Sequence, residues 1–136
     1  MFYLGDLGSG KTKFTEGFLS FWGLENEISS PTFTIVNEYH APTTNIYHFD
    51  VYRLEDTDEF YAIGGDEYFQ AGICIIEYFS FGISLIEWGE LIEDILPQNY
   101  IKIEFSRNPD DINTRYLNIS TKDTRLENVI KELKEC

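Results

Sequence analysis

The order of apolar and polar positions divides the chain into short strands and helices that follow one another without a linker. Phe2-Tyr3-Leu4 is an apolar run that reads as the end of a buried strand. From Lys11 to about Trp22, Phe14, Phe18, Leu19 and Trp22 recur at helical spacing. Residues 33–39, rich in β-branched and aromatic side chains, predict a strand stiffened at its start by Pro31. Ile46-Tyr47-His48-Phe49-Asp50 predicts another beyond a turn at Pro42, and the two should pair as an antiparallel hairpin. His40 reads as a residue of that turn. Residues 55–63 predict a short helix ended by Gly64-Gly65, with Asp66 capping the next turn. Further on, residues 91–96 are helical and stopped by Pro97, while 100–105 and 115–121 alternate as a second hairpin. The chain closes on an amphipathic helix over 122–134, with Leu126, Val129, Ile130 and Leu133 on the face expected to pack on the sheet.

One stretch repeats itself. Residues 67–77, Glu-Tyr-Phe-Gln-Ala-Gly-Ile-Cys-Ile-Ile-Glu, are followed, sharing Glu77, by 77–87, Glu-Tyr-Phe-Ser-Phe-Gly-Ile-Ser-Leu-Ile-Glu. The period is too short, and the copies too few, for a solenoid. Each copy ends as an apolar strand closing on an acid, so Glu77 and Glu87 are rivals for one role. A parallel sheet can take one of them beside the first strand, leaving the other to an edge, a bulge or a loop.

A length of 136 residues fits one domain, 1–136, with its own core. With 43% hydrophobic and 16% aromatic residues, the chain is composed to fold. No apolar run is long enough for a bilayer and no signal-peptide pattern opens the chain, so a soluble cytoplasmic protein is expected. Cys74 lies in an apolar run and reads as a small core residue; Cys136 is terminal, and neither has metal-ligand spacing to a histidine. A formal net charge of −14 argues against direct binding of free nucleic acid, which needs lysines and arginines to neutralise phosphates. It also concentrates the burden of meeting an anionic ligand on a few cations, Lys11 and Arg53 among them.

The chemistry is concentrated near the start, in Gly5-Asp6-Leu7-Gly8-Ser9-Gly10-Lys11-Thr12. This fits G-x-x-x-x-G-K-[ST], placed as the motif requires between an apolar strand and a helix. Glycines let successive backbone N–H groups converge on one concavity, and the start of the following helix adds positive potential. Lys11 would reach the β- and γ-phosphates of ATP, and Thr12 would offer its hydroxyl to Mg²⁺. Thr32 or Thr34 is a switch-like candidate for approaching the γ-phosphate, against the plainer reading of a loop leading into a strand. Asp50, ending a strand, is suited to a Mg²⁺-bound water or is simply a solvated turn acid. His48 could be a base, but alternation favours a partly buried strand histidine.

Gly-Asp-Leu-Gly-Ser-Gly-Lys-Thr, Ser-Pro-Thr-Phe-Thr-Ile-Val, His-Phe-Asp-Val-Tyr-Arg-Leu and Ile-Glu-Trp occur here in that order. In this the chain resembles the bacterial ATPases of tRNA threonylcarbamoyladenosine biosynthesis, the TsaE or YjeE type, over most of its length. The resemblance implies an α/β, P-loop NTPase-like three-layer sandwich, with a mostly parallel central sheet, antiparallel hairpins and flanking helices. It also implies a weak ATPase that works in complex with the threonylcarbamoyl-transferring protein and its dimerising partner. By the same resemblance Asp50 matches an essential aspartate and Thr32 falls in the switch-like motif. Glu87 and Trp88 match a Glu-Trp pair, Glu87 near the metal or attacking water and Trp88 shaping the site. Three departures stand out. Only Met1 to Leu4 precede the loop where relatives carry a further strand and helix, the duplicated segment is single in the family, and Gly89 stands where proline is usual. Only the second copy ends in Glu-Trp, which selects Glu87 over Glu77. A small-molecule kinase and a nucleotide-dependent binding module are the alternatives; the first would need an acceptor pocket and a lid with arginines.

Overall fold

The computed structural model describes residues 1–5, 9–28, 35–51, 56–79 and 94–135, with the backbone alone for residues 2–4 and 77–79. Six strands form one sheet: β1 (Phe2–Gly5), β2 (Val36–His40), β3 (Asn45–Asp50), β4 (Ile73–Phe79), β5 (Ile101–Arg107) and β6 (Arg115–Thr121). Their spatial order is β2-β3-β4-β1-β5-β6. The four inner strands run parallel, and β2 and β6 close the two edges antiparallel, as the predicted hairpins require. The chain is thus mixed α/β with a mostly parallel sheet.

The inner strands are apolar because both of their faces are covered. Tyr47, Phe49, Val51 and Ile76 join Phe60 of α2 (Thr57–Ala62) in one core, against which Tyr68 and Phe69 of α3 (Tyr68–Ala71) pack. Ile46, Ile75, Ile103 and Phe105 join Leu19 of α1 (Lys11–Ser20) in the other, with Phe14 and Phe18 against it. Alternate residues of β3 and β4 therefore feed opposite cores, the period-two rule of a strand. Aromatic edges lock the helices down: Phe49 meets Tyr68 at 5.2 Å and Phe60 at 5.7 Å between ring centres, and Phe14 meets Phe105 at 5.6 Å.

Local chemistry sets the joints. Asp56 caps α2, its carboxylate accepting from the Glu59 N–H, so this helix starts later than the sequence pattern predicts. Gly64 then takes a left-handed φ of 73°, which ends the helix and starts a 3₁₀ turn, Gly65–Glu67. At Gly72, a Cβ would collide with the backbone carbonyl of Asn45, so only glycine lets β4 enter the sheet beside β3.

Three expectations need correction or refinement. The first copy of the duplicated segment supplies α3 and β4, in the slot between β3 and β1; beyond Phe79 the second copy lies outside the described residues. His40 is the last residue of β2 rather than a turn residue, its Nδ1 3.0 Å from Asn45 Oδ1. The terminal helix, α4 (Glu127–Glu135), follows a 3₁₀ turn, Thr124–Leu126, and buries only Ile130 of its apolar face. Val129 stays 43% and Leu133 50% exposed because the helix sits beside the edge strand β6, where little sheet remains to cover. No helix among the described residues is long and apolar enough to cross a membrane.

Candidate functional site

Strand, bend and helix stand in the order that a phosphate-binding loop requires, β1 ending at Gly5 and α1 beginning at Lys11. At Gly5 a Cβ would lie 2.8 Å from Ser9 Oγ and 2.9 Å from Phe105 Cβ, so β5 and the bend close on a residue without a side chain. Gly10, at the N-cap of α1, holds a left-handed φ of 106° that other residues rarely adopt. Among the described residues no side chain caps this helix, and its first turn carries no acid. The start of a ten-residue helix is a place where backbone amides and the helix dipole suit an anion.

Two side chains in the bend bear on whether a polyphosphate fits. Ser9 is 1% exposed, and its Oγ has no hydrogen-bond partner among the described residues. A buried hydroxyl left so costs about 1–3 kcal/mol, which a phosphate oxygen would relieve. Lys11, 8% exposed, folds back so that its Nζ donates to the Gly5 carbonyl at 2.6 Å. The ammonium is held over the bend by the backbone it would share with a ligand. Thr12 follows on the exposed side of α1, and the Thr15 hydroxyl donates to the Lys11 carbonyl at 3.0 Å, bracing that first turn. Gly5, Ser9, Gly10, Lys11 and Thr12 are therefore together, and they fit an anion. Asp6, Leu7 and Gly8 lie outside the described residues, as do Thr32, Arg53, Glu87 and Trp88.

Asp50 ends β3, half-buried, its N–H donating to the Ile35 carbonyl at 2.8 Å. In the sheet it stands opposite Glu77 of β4, which in turn stands opposite Tyr3 of β1. That row crosses the sheet two residues before Gly5, about 7 Å short of the bend. The aspartate is thus at the same end of the sheet as the phosphate-loop candidate. Among the described residues no group of three or more His, Cys, Asp or Glu converges on a metal position. A Mg²⁺ ion carried on a nucleotide asks for only one or two carboxylates, which Asp50 and its neighbour could supply.

Ile35 was not legible in advance. It holds φ 66°, the one non-glycine residue with positive φ among those described. For a β-branched residue this costs about 1–3 kcal/mol and is found where surrounding structure over-determines it. In the sequence it is one more strand-forming residue, and nothing in its type announces the strain. His48 lies within β3 and, at 2% exposed, is wholly rather than partly buried. An apolar cavity of about 420 Å³, lined by Phe18, Ile73, Ile76, Leu96, Tyr100 and Leu126 among others, lies toward the opposite, amino-terminal ends of β1 and β4.

A family model described as "Threonylcarbamoyl adenosine biosynthesis protein TsaE" matches residues 1–117. The chain belongs to the TsaE family. It is 41% identical over 129 residues to the tRNA threonylcarbamoyladenosine biosynthesis protein TsaE of Bacillus subtilis (strain 168), covering 95% of this chain and 73% of that one. It is 43% identical over 99 residues to the TsaE of Haemophilus influenzae, covering 72% of this chain and 57% of that one. The chain thus spans between about half and three quarters of the length of these TsaE relatives. Among solved structures, the crystal structure of Bacillus subtilis YdiB matches with a TM-score of 0.63 and 34% identity, over 98% of this chain and 75% of that one.

Proposed function

We propose that the chain is the ATP-binding and ATP-hydrolysing subunit of the machinery that makes N6-threonylcarbamoyladenosine in tRNA, in the cytoplasm. It would have the three-layer P-loop NTPase-like architecture and act with the threonylcarbamoyl-transferring protein and its dimerising partner. The observation that carries this reading is the bend between β1 and α1. There a buried Ser9 hydroxyl and a helix start, neither with a side-chain partner among the described residues, meet the Lys11 ammonium at a glycine where a Cβ would crowd Ser9 Oγ and Phe105 Cβ. With −14 net charge, the subunit would leave contact with the tRNA to its partners.

The division of labour follows from the residues. Backbone amides of the bend and Ser9 Oγ hold the β- and γ-phosphate oxygens. Lys11 Nζ exchanges the Gly5 carbonyl for these oxygens, moving a positive charge to where negative charge grows. Thr12 and Asp50, with one further strand-tip acid, would hold the metal. Mg²⁺, when bound, neutralises phosphate charge and orients the γ-phosphoryl group. The attacking water's oxygen bonds to the γ-phosphorus as the bond to the β–γ bridging oxygen breaks, and the water's proton leaves to give ADP and inorganic phosphate. Trp88 and Thr32 would border this site. Of the two acids that the duplication offers, Glu77 and Glu87, the reading requires one.

Calorimetry of ATP binding and phosphate release with the two partner proteins tests the proposal. Lys11→Ala should lower phosphate release by about 10²–10³-fold, the usual loss when one charge-stabilising donor is removed. Hydrolysis indifferent to that substitution would refute it.

A further inference from the structure

Resting on the nucleotide reading above, we infer that Glu77, and not Glu87, is the strand-tip acid that stands beside Asp50, because the first copy of the duplicated segment holds the only sheet slot between β3 and β1. The two copies are ten residues apart and interchangeable on paper: Gly72, Ile73, Ile75, Ile76 and Glu77 correspond to Gly82, Ile83, Leu85, Ile86 and Glu87. Only one can pair with β3 and β1 at a time. In this structure the pairs are Ile46 with Ile73, His48 with Ile75, Phe49 with Ile76 and Asp50 with Glu77, while Phe2 and Tyr3 of β1 pair with Ile76 and Glu77.

Packing explains why the first copy wins. With Ile73–Phe79 in the slot, Tyr68 and Phe69 of α3 dock directly on Tyr47, Phe49 and Phe60; the second copy repeats these two rings as Tyr78 and Phe79, so the choice falls to the residues that differ. The lead-in from β3 is then a continuous α2-turn-α3 crossover, of the kind that joins parallel strands. Sliding the second copy in would replace the Cys74 thiol, which donates to the Tyr68 carbonyl at 3.3 Å, with the more strongly hydrated hydroxyl of Ser84. It would put γ-branched Leu85 at the position of Ile75, which is wholly buried. It would also expel Ile73, Ile75 and Ile76 from the cores they now fill. Family resemblance selects Glu87 by its Trp88 neighbour; strand pairing selects Glu77. The Ser9 hydroxyl, buried and unpartnered at the bend that β1 leads into, marks that end of the sheet as a place awaiting a ligand.

Two measurements on the full chain test this, the first independent of nucleotide. In a Cys136→Ser background, Cys74 in the native protein should react with iodoacetamide at least about tenfold more slowly than the thiol introduced by Ser84→Cys in a Cys74→Ser partner variant, since a protected site reacts only through its open fraction. A Ser84→Cys thiol as slow as Cys74, or slower, overturns the slot assignment. The second compares ADP dissociation constants with Mg²⁺ and with EDTA. Glu77→Gln should remove most of the Mg²⁺-dependent gain, about tenfold, while Glu87→Gln leaves it within about twofold. The reverse order, or loss with neither variant, overturns the role of Glu77. A parent chain that binds no nucleotide refutes the functional reading itself and the metal role with it, and the thiol rates still decide which copy is in the sheet.

Discussion

The hairpins β2–β3 and β5–β6 each turn the chain back on itself at an edge of the sheet, yet they differ in what covers them. β3 is buried from Ile46 to Phe49, flanked by β2 and β4 and roofed by α2 and α3 on one face. β6 is exposed along most of its length and carries Arg115, Asn118 and Ser120, polar residues that protect an open edge from pairing with another chain. The buried hairpin ends in Asp50 beside the phosphate-loop end of the sheet; the exposed one ends in a helix that buries a single residue. Burial here tracks place in the sheet, β3 being an inner strand and β6 an edge. A carboxylate that must stand within ångströms of a metal needs a strand that cannot slide, and two packed faces fix the register.

The largest test of that contrast is a pair of truncations. Phe49→Ala removes a wholly buried ring that touches Phe60 and Tyr68, and should cost about 3–5 kcal/mol in urea unfolding. Leu117→Ala, at a 42% exposed position of β6, should cost less than about 1 kcal/mol. If the two cost the same, the second hairpin is not the passive edge it is taken for.

Glycines give a smaller contrast of opposite sign. Gly72→Ala would drive a methyl group into the Asn45 carbonyl where β4 joins β3, a backbone neighbour that cannot swing aside. A loss of about 1–3 kcal/mol is expected, as for overpacking. Gly17→Ala, in the exposed middle of α1 with open space around it, should gain about 0.4–1 kcal/mol by narrowing the unfolded ensemble. A stabilising Gly72→Ala would mean that β3 and β4 have room to separate.

Asp50→Asn separates structure from chemistry on the buried hairpin. The amide keeps the shape, so the urea midpoint should stay near that of the parent, while the Mg²⁺-dependent part of ADP affinity falls by about tenfold, or 1.4 kcal/mol. A fall in stability with no change in Mg²⁺ dependence would make Asp50 a structural strand end.

Much of this organisation was written in the sequence. Strand, bend and helix followed from an apolar run, a glycine-rich motif and helical spacing; the first hairpin followed from β-branched and aromatic runs around the Pro42 turn, and the second from alternation. What stayed hidden depended on competition between distant segments. The duplicated strands obey the same periodicity and carry the same Tyr-Phe pair ahead of them, so no local rule decides which enters the sheet; the copies differ at Cys74 and Ile75 against Ser84 and Leu85. Ile35 was hidden because its strained backbone is imposed from outside, through the bond from the Asp50 N–H. The terminal helix misled in the other direction. Its apolar face is a property of its own residues, but whether that face is covered depends on where the sheet ends.

The effect confined to the narrowest conditions, alkaline pH, belongs to Cys74, on the strand that joins the buried hairpin to β1. Burial pushes its thiol from 9.0 up to about 11, with a small opposing pull from the amino terminus. Between these values the unfolded chain has lost the thiol proton and the folded chain still holds it. The unfolded state then binds fewer protons, so stability falls as pH rises from about 9 to 11 and is untouched by this group below that window. In a Cys136→Ser background, the stability advantage of the parent over Cys74→Ala should be constant up to about pH 8 and narrow steadily above pH 9. Taking the difference between the two proteins cancels the tyrosines that titrate nearby. β5, β6 and α4 carry no thiol before Cys136, so a narrowing difference assigns the alkaline weakness to the β3–β4 side of the sheet. A flat difference through pH 11 would mean that this strand opens to solvent more readily than its packing implies, and would loosen the register on which the placement of Asp50 depends.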